Sequence, residues 1–170
     1  AETGGKRKLS KRKDPEAAVS YYKEAGFPKE AVLEYLMTIA NSNFEDWRRA
    51  NKTAPIDDFK FSLSKMSKAG ALFDLVKLND ISKNYISTLD TETVYSGTIE
   101  WAKEYNEKLY KLLTENEAYA RAILGIERGN AKPRKDIGKW EDVENYLAYF
   151  YDELWDRKFD FADNLSKEDM

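Results

Sequence analysis

The sequence predicts a mainly α-helical protein. The chain has 170 residues but only 8 Gly and 4 Pro, which are too few turn residues for a sandwich of many short strands. Apolar side chains recur at the three- and four-residue spacings of amphipathic helices along most of its length. The content of 42% apolar and 14% aromatic residues is typical of a folded chain. We therefore expect a helical bundle with at most a short strand element near residues 57–63.

The first helices are marked by their end signals. Asp14 is a favourable N-cap, Pro15 suits the first helical position, and Gly26 marks the helix end. A second helix starts at Pro28, and the two form a short αα-hairpin. The sequence pattern of residues 44–50 predicts a further short helix. The apolar residues of the first two helices are Ala18, Tyr21, Tyr22, Ala25, Val32, Tyr35, Leu36 and Ile39.

The second half of the chain continues the helical pattern. Asp74 caps one helix, and a longer one runs from about Thr91 to beyond Leu112. The next helix stops at Gly129, and a last apolar stripe extends over residues 140–154. The inward residues of the long helix are Thr98, Ala102, Tyr105, Leu109 and Leu112, and those of the next helix are Ala118, Ala122, Ile123 and Ile126.

The composition excludes several kinds of chemistry. Without histidine or cysteine the chain has no Ser-His-Asp triad, catalytic thiol, imidazole or thiolate metal site, or disulfide framework. No apolar run approaches the length of a membrane span, and no hydrophobic segment follows the lysine-rich start. We expect a cytoplasmic, monomeric protein that is not associated with a membrane.

The charge is unevenly distributed along the chain. The formal net charge is -3, but residues 1–13 carry six positive charges and one negative charge. Residues 127–139 carry five positive and two negative charges, whereas residues 140–170 carry three positive and ten negative charges. Contact with a polyanion must therefore be local to the two positive segments, because the acidic end repels RNA.

The first positive segment centres on Lys8, Ser10, Lys11 and Arg12. Two ammonium groups three residues apart, on a mobile segment, suit the neutralisation of a triphosphate. The alternative is a solvated tail or a localisation signal, which is the more frequent meaning of a Lys/Arg-rich run. Residues 1–13 offer little to bury, so we expect this loop to be mobile.

The second positive segment clusters Lys132, Arg134, Lys135 and Lys139 around Pro133. A proline-stiffened basic turn suits phosphate contacts, because each cation can neutralise one phosphate with little ordering cost. The alternative is a solvated turn at a helix end.

Three other groups of residues have weaker functional patterns. Arg48 and Arg49 are further candidates for phosphate contact, although Trp47 beside them is expected in the core. Adjacent acidic pairs at 57–58 and 141–142 point to different sides of a helix or strand, so no metal site is expected there. The aromatic residues of the acidic end are expected in core packing or against a further domain, rather than as a base-stacking platform. They are Tyr146, Tyr149, Phe150, Tyr151 and Trp155.

The segment Lys8-Leu9-Ser10-Lys11-Arg12 resembles the nucleotide-binding signature loop of class I aminoacyl-tRNA synthetases, in the form found in bacterial glutamyl-tRNA synthetases. The stretches 14–22, 25–31, 61–79 and 128–140 are similar to the same family. The resemblance extends from about residue 3 to residue 158, which a chance five-residue motif would not produce.

The resemblance implies part of an ATP-dependent enzyme that activates glutamate and transfers it to tRNA, with Mg²⁺ beside the ATP. It assigns a catalytic role to Lys8 and Lys11, and ATP contacts to both lysines together with Ser10 and Arg12. It favours tRNA contacts at Lys132, Arg134, Lys135 and Lys139, and we add Arg48 and Arg49 to the candidate tRNA-binding residues from their local pattern.

The resemblance also implies an organisation in three parts. These are a signature loop at 1–13, a stem-contact-like helical region at 14–90 and a helical tRNA-binding domain at 91–170. The family carries its amino-acid pocket and a histidine-containing motif on a Rossmann-type domain, so this histidine-free chain is expected to be an inactive C-terminal fragment by itself. The alternative is a non-catalytic helical module that binds RNA or a protein through a basic tail.

Overall fold

Residues 13–66 and 73–155 are described by a computed structural model, and they form eight α-helices without a strand. The prediction of a mainly α-helical protein is therefore confirmed. None of the helices in these ranges has the length and apolar character that crossing a bilayer requires. The helices are α1 (Val19–Glu24), α2 (Lys29–Ala40), α3 (Phe44–Ala50), α4 (Leu75–Thr88), α5 (Thr91–Tyr105), α6 (Glu107–Glu115), α7 (Glu117–Leu124) and α8 (Asp142–Leu147).

Polar caps define the starts of the longer helices. The Asp74 carboxylate accepts hydrogen bonds from the backbone N–H groups of Val76 (2.8 Å) and Lys77 (3.2 Å). Asp90 accepts from the Thr93 N–H at 2.7 Å at the start of α5. These bonds satisfy N–H groups that have no partner inside the helix, which is why the cap predicted at Asp74 is found there.

The predicted long helix from Thr91 is in fact two helices, because Asn106 separates α5 from α6. Asn106 has φ -148° and ψ 81°, outside the helical region, and its side-chain oxygen accepts from the Leu109 N–H at 3.0 Å. Its amide nitrogen donates to Glu144 at 2.7 Å. Because Asn106 gains both bonds in this conformation, a new helix start is favoured here over continuation of α5, although the apolar stripe continues past Asn106.

The N-terminal helix is also shorter than predicted. Pro15–Ala17 forms a single 3-10 turn, and Ala18 then has extended backbone (φ -106°, ψ 133°) before α1 begins. Gly26 has φ 82°, which agrees with its predicted role as a helix terminator. Helix α2 packs mainly against α4, whereas α1 contacts α5, so the pairing of the first two helices is not the main contact of either.

The region near 57–63, where at most a short strand was expected, contains two 3-10 turns, Ile56–Asp58 and Leu63–Lys65, and no strand. Two helix boundaries differ from the sequence prediction. Helix α7 ends at Leu124 rather than at Gly129, so Ile126 is 41% exposed. The last apolar stripe forms only the short helix α8, and the following residues form turns.

The main core lies among α5, α6, α7 and α8, together with the end of α4. Its fully buried residues include Val94, Leu109, Leu113, Val143 and Leu147. A second packing centre joins α2 to α4 through Ala31, Tyr35 and Leu78, each 0% exposed. The division into parts at residue 90 remains a prediction.

A half-buried arginine links the C-terminal ends of α4 and α7. The Arg128 guanidinium donates to the carbonyls of Leu124 (2.7 Å), Ile86 (2.9 Å) and Leu89 (3.3 Å). Carbonyls at helix ends have no partner inside the helix, and they carry partial negative charge that a cation stabilises. Burial lowers the pKa of this guanidinium from its usual value.

Candidate functional site

The basic turn, residues 132–139, follows α7 and is held at its far end by Trp140. The Trp140 backbone N–H donates to the Gly26 carbonyl at 2.8 Å. A Cβ atom at Gly97 would lie 2.6 Å from Trp140 Cζ2, so the indole fits against α5 only because position 97 is glycine. A Cβ at Gly138 would meet the side-chain oxygen of Asn79 on α4. The turn is therefore fixed against α4, α5 and the α1–α2 connection.

A carboxylate completes the anchoring of the turn. One oxygen of Asp142 accepts from the backbone N–H groups of Gly138 (2.8 Å) and Lys139 (3.2 Å). Ile137 beside them is 4% exposed and belongs to the main core. Because the backbone of residues 137–140 is held in this way, the positions of the cations in the turn follow from the fold.

The four cations of the basic turn differ in how far they are already neutralised. Lys132 and Lys135 are exposed, and neither forms an ion pair within the described part of the chain. Arg134 pairs with Asp136 at 2.5 Å and lies 3.9 Å from Glu127, and the hydrogen bond with Asp136 raises the pKa of its guanidinium. Lys139 pairs with Glu141. The two free lysines are the most available phosphate ligands of the turn.

Arg48 is enclosed by its own surroundings. Its side chain is 18% exposed and pairs with Glu34 at 2.7 Å. It also donates to the carbonyls of Asn51 (2.8 Å) and Ala54 (2.7 Å), and its guanidinium lies 4.9 Å from the centre of the Trp47 ring. Burial raises the pKa of Glu34 more than the adjacent guanidinium lowers it.

Arg49 is placed differently. Its side chain is 71% exposed and pairs with Asp46 at 3.1 Å across one helical turn. An exposed pair of this kind is weak and readily exchanged for another anion. Of the two arginines in α3, Arg49 is therefore the more accessible to a phosphate.

A groove of about 810 Å³ lies beside the basic turn. We call it the α4–α8 groove, because both α4 and α8 supply lining residues, and residues of α1, the basic turn and the neighbouring connections complete it. It brings Arg134 and Lys139 together with Lys83, which is half-buried and forms no ion pair among the described residues. The other lining residues are Tyr21, Ala25, Phe27, Leu75, Asn79, Ile126, Asp136, Asp142, Asn145, Tyr146, Tyr149 and Phe150.

The aromatic residues of the acidic end divide between core and surface. Tyr151 is 9% exposed and packs in the main core, as expected. Tyr149 is 77% exposed and Phe150 is 40% exposed, and both line the α4–α8 groove. Sequence reasoning did not single out Lys83 or Asn79 for this groove, because nothing in the pattern of α4 distinguishes them from ordinary surface residues.

The predicted nucleotide-binding residues Lys8, Ser10, Lys11 and Arg12 lie outside the described residues, and so does the segment 1–12 on which the predicted mobility of residues 1–13 depends. Within residues 13–66 and 73–155, no group of three or more acidic side chains is arranged to hold a metal ion.

Curated proteins give clear matches to this chain. A glutamate–tRNA ligase of Clostridium perfringens is 53% identical over 153 residues, which are 90% of this chain and 28% of that protein. The enzyme of Clostridium beijerinckii is 54% identical over 89% of the chain and 28% of its own length. That of Acetivibrio thermocellus is 46% identical over 99% of the chain and 31% of its own length.

The chain thus spans less than a third of the length of these relatives. No protein-family model and no solved structure matches it significantly. Identity of 45% or more extends over about nine-tenths of the chain or more in relatives from several genera, and all carry the same name. This chain is therefore homologous to a segment of the bacterial glutamate–tRNA ligases, as the resemblance of its sequence predicts.

Proposed function

We propose that this chain supplies the ATP-site loop and the tRNA-positioning helices of an enzyme that activates glutamate with ATP and transfers it to tRNA. The observation that carries the proposal is the 53% identity to a glutamate–tRNA ligase over 90% of the chain, together with the signature Lys8-Leu9-Ser10-Lys11-Arg12. We propose a cytoplasmic monomer, with residues 1–13 as the loop, 14–90 as the stem-contact-like region and 91–170 as the tRNA-binding domain.

The proposed chemistry at the loop is charge stabilisation. The glutamate carboxylate attacks the α-phosphate of ATP, and pyrophosphate leaves with increased negative charge. Lys8 and Lys11 neutralise that charge, Ser10 and Arg12 contact the nucleotide, and Mg²⁺ accompanies the ATP. Ammonium and guanidinium groups suit this task because they remain protonated near neutral pH.

The proposed tRNA contact is the basic turn. Lys132 and Lys135 have no ion pair within the described ranges, and the exposed ion pair of Arg134 is exchangeable for a phosphate. Lys139 is 29% exposed and extends the same surface. Arg49 is a secondary contact on α3, and Arg48 is the less accessible candidate beside it, since its guanidinium already has partners.

We expect tRNA binding by the 170-residue chain to be weak and steeply dependent on salt. The net charge of -3 opposes binding, so attraction comes from a few cations. Release of about three to four counterions gives a slope of about -2 to -4 for log affinity against log salt. Arg134→Ala combined with Lys135→Ala should flatten the slope by roughly two contacts, as measured by fluorescence anisotropy with labelled tRNA over a salt series.

The matched control removes two charges elsewhere. Lys103 lies exposed on α5, and Lys111 on α6 is 73% exposed and pairs with Glu107. The variant Lys103→Ala with Lys111→Ala changes the net charge equally and should keep the slope within about half a contact. Wild-type affinity and slope in the basic-turn variant, or an equal flattening in the control, would exclude the basic turn as the contact.

The 170-residue chain alone should not form glutamyl-adenylate. It spans 28 to 31% of the ligases it matches, and the resemblance places the amino-acid pocket in a Rossmann-type domain outside this segment. Glutamate-dependent exchange of labelled pyrophosphate into ATP should stay at the level of a blank without protein. Exchange above the blank would show that this segment holds a complete adenylation site.

A further inference from the structure

The α4–α8 groove has the size and lining of a ligand site rather than of a packing defect. Its volume of about 810 Å³ is within the range of about 300 to 1,000 Å³ found for ligand pockets. It lies next to the basic turn and shares Arg134 and Lys139 with it. A ligand in the groove would therefore lie directly beside any polyanion that is bound at the turn.

The charged lining leaves one cation available to an anion. Lys83, Arg134 and Lys139 line the groove together with two carboxylates. Arg134 is paired with Asp136 and Lys139 with Glu141, whereas Lys83 has no ion pair within the described ranges. Both carboxylates are already engaged: Asp142 by the backbone N–H groups of Gly138 and Lys139, and Asp136 by Arg134.

Lys83 is half-buried as a residue and has no ion pair within the described ranges, so no carboxylate there supplies its ammonium group with a counter-charge. A phosphate group beside it would supply that charge.

The remaining lining suits a nucleobase. The sequence pattern favoured core packing or a further domain over base stacking for these rings, but Tyr149 and Phe150 are 77% and 40% exposed, so part of each ring is accessible to a planar ligand. The side-chain amides of Asn79 and Asn145, which also line the groove, make no hydrogen bond within the described residues. Stacking on aromatic rings combined with amide donors and acceptors is how single-stranded RNA is recognised, whereas bases inside a duplex are stacked on each other and inaccessible.

We infer that the α4–α8 groove binds one unpaired nucleotide of an RNA strand, with its base against Tyr149 and its phosphate at Lys83. The inference rests on the proposed function, because the strand enters the groove from the RNA held at the basic turn. It adds a preference for unpaired RNA: the groove recognises an unpaired nucleotide, whereas the basic turn alone would bind phosphates of any RNA.

The test compares the 170-residue chain binding a short single-stranded RNA and a blunt RNA duplex of the same sequence. Tyr149→Leu should weaken binding of the single strand by about tenfold and leave duplex binding unchanged, because leucine removes the ring but keeps an apolar side chain. Tyr149→Phe keeps the ring and should bind like wild type. A 2-aminopurine base in the single strand should be quenched by the wild type and not by Tyr149→Leu.

Lys83→Ala tests the phosphate contact. It should weaken single-strand binding and reduce its salt slope by about one contact, whereas Lys103→Ala, which removes an exposed lysine of α5, should not. Circular dichroism checks that the variants keep their helical content, which is expected because Tyr149 is exposed and Lys83 is not part of a buried cluster.

The outcomes separate the groove from the proposed function. If the basic-turn variant weakens tRNA binding while Tyr149→Leu affects neither RNA, or both equally, the groove is not a nucleotide site and the proposed function stands. If neither variant alters binding, or the chain binds no RNA, the groove inference and the proposed tRNA contact at the basic turn both fail. A ring-dependent, single-strand-specific loss supports the inference.

Discussion

Replacing Trp140 by alanine will lower the free energy of unfolding by about 3 kcal/mol, since truncating a large, well-packed aromatic side chain costs about 3 to 5 kcal/mol and Trp140 is half-buried. For a chain of this size the melting temperature should fall by roughly 6 to 12 °C. The indole packs against the main core and lies against Gly97, so its loss opens a cavity beside α5. Calorimetry or thermal circular dichroism measures the change.

The matched control is Trp155→Ala. Trp155 is 37% exposed, contacts Tyr149 edge to face with ring centres 5.3 Å apart, and is not part of the main core. Its truncation should cost less than about 1 kcal/mol. Equal losses in the free energy of unfolding for the two variants would show that Trp140 stabilises the chain no more than the exposed Trp155 does.

Gly97→Ala probes the same contact from the other side. Alanine favours an exposed helix interior over glycine by about 1 kcal/mol, but overpacking costs about 1 to 3 kcal/mol. A Cβ at 2.6 Å from a rigid indole makes overpacking the larger effect, so the variant should be destabilised. In the Trp140→Ala background the same substitution should stabilise the chain. The absence of this reversal in a double-mutant cycle would contradict the packing described here.

In a complete enzyme with the proposed ligase activity, Lys11→Ala and Lys8→Ala should each slow adenylate formation by about 10- to 100-fold, because a charged hydrogen bond contributes roughly 1.5 to 3 kcal/mol. The proposed contact is to charge that develops as pyrophosphate leaves, so tRNA affinity should change much less. Single-turnover adenylate formation and filter binding of tRNA measure the two effects separately.

Lys6→Ala is the control for these lysines, since it removes the same charge just before the signature. The Lys6→Ala enzyme should form adenylate within about threefold of the wild-type rate, as expected for a cation that contributes only to the overall electrostatic field of the protein. Parallel losses of adenylate formation and tRNA affinity in Lys8→Ala and Lys11→Ala would instead assign the loop to RNA contact.

Local signals predicted much of the fold. The Asp74 cap, the left-handed Gly26 and helix α3 depend on residues close together in sequence. The break at Asn106 was missed because the bond that favours it joins Asn106 to Glu144 on a distant helix. The weak alternation near 57–63 allowed at most a short strand, and the chain forms separate 3-10 turns there.

The candidate site was predictable only in its contiguous part. A cluster of cations around Pro133 is visible in the sequence, but its neutralisation by Asp136 and Glu141 depends on side-chain geometry. The α4–α8 groove was not predictable, because Lys83 becomes a lining residue only when α4 packs beside the basic turn. Tertiary proximity of this kind leaves no periodic signal in one sequence.

Arg128 and Trp140 secure the chain at two points, one on each side of the basic turn. Arg128 holds the helix ends before it, and Trp140 is bonded to Gly26 after it. A segment tethered at both ends has few conformations left to lose when a ligand immobilises it. For the proposed phosphate contact, the ordering cost therefore depends on how tightly the two tethers hold the segment, whereas the number of phosphates contacted depends on how many cations lie between them.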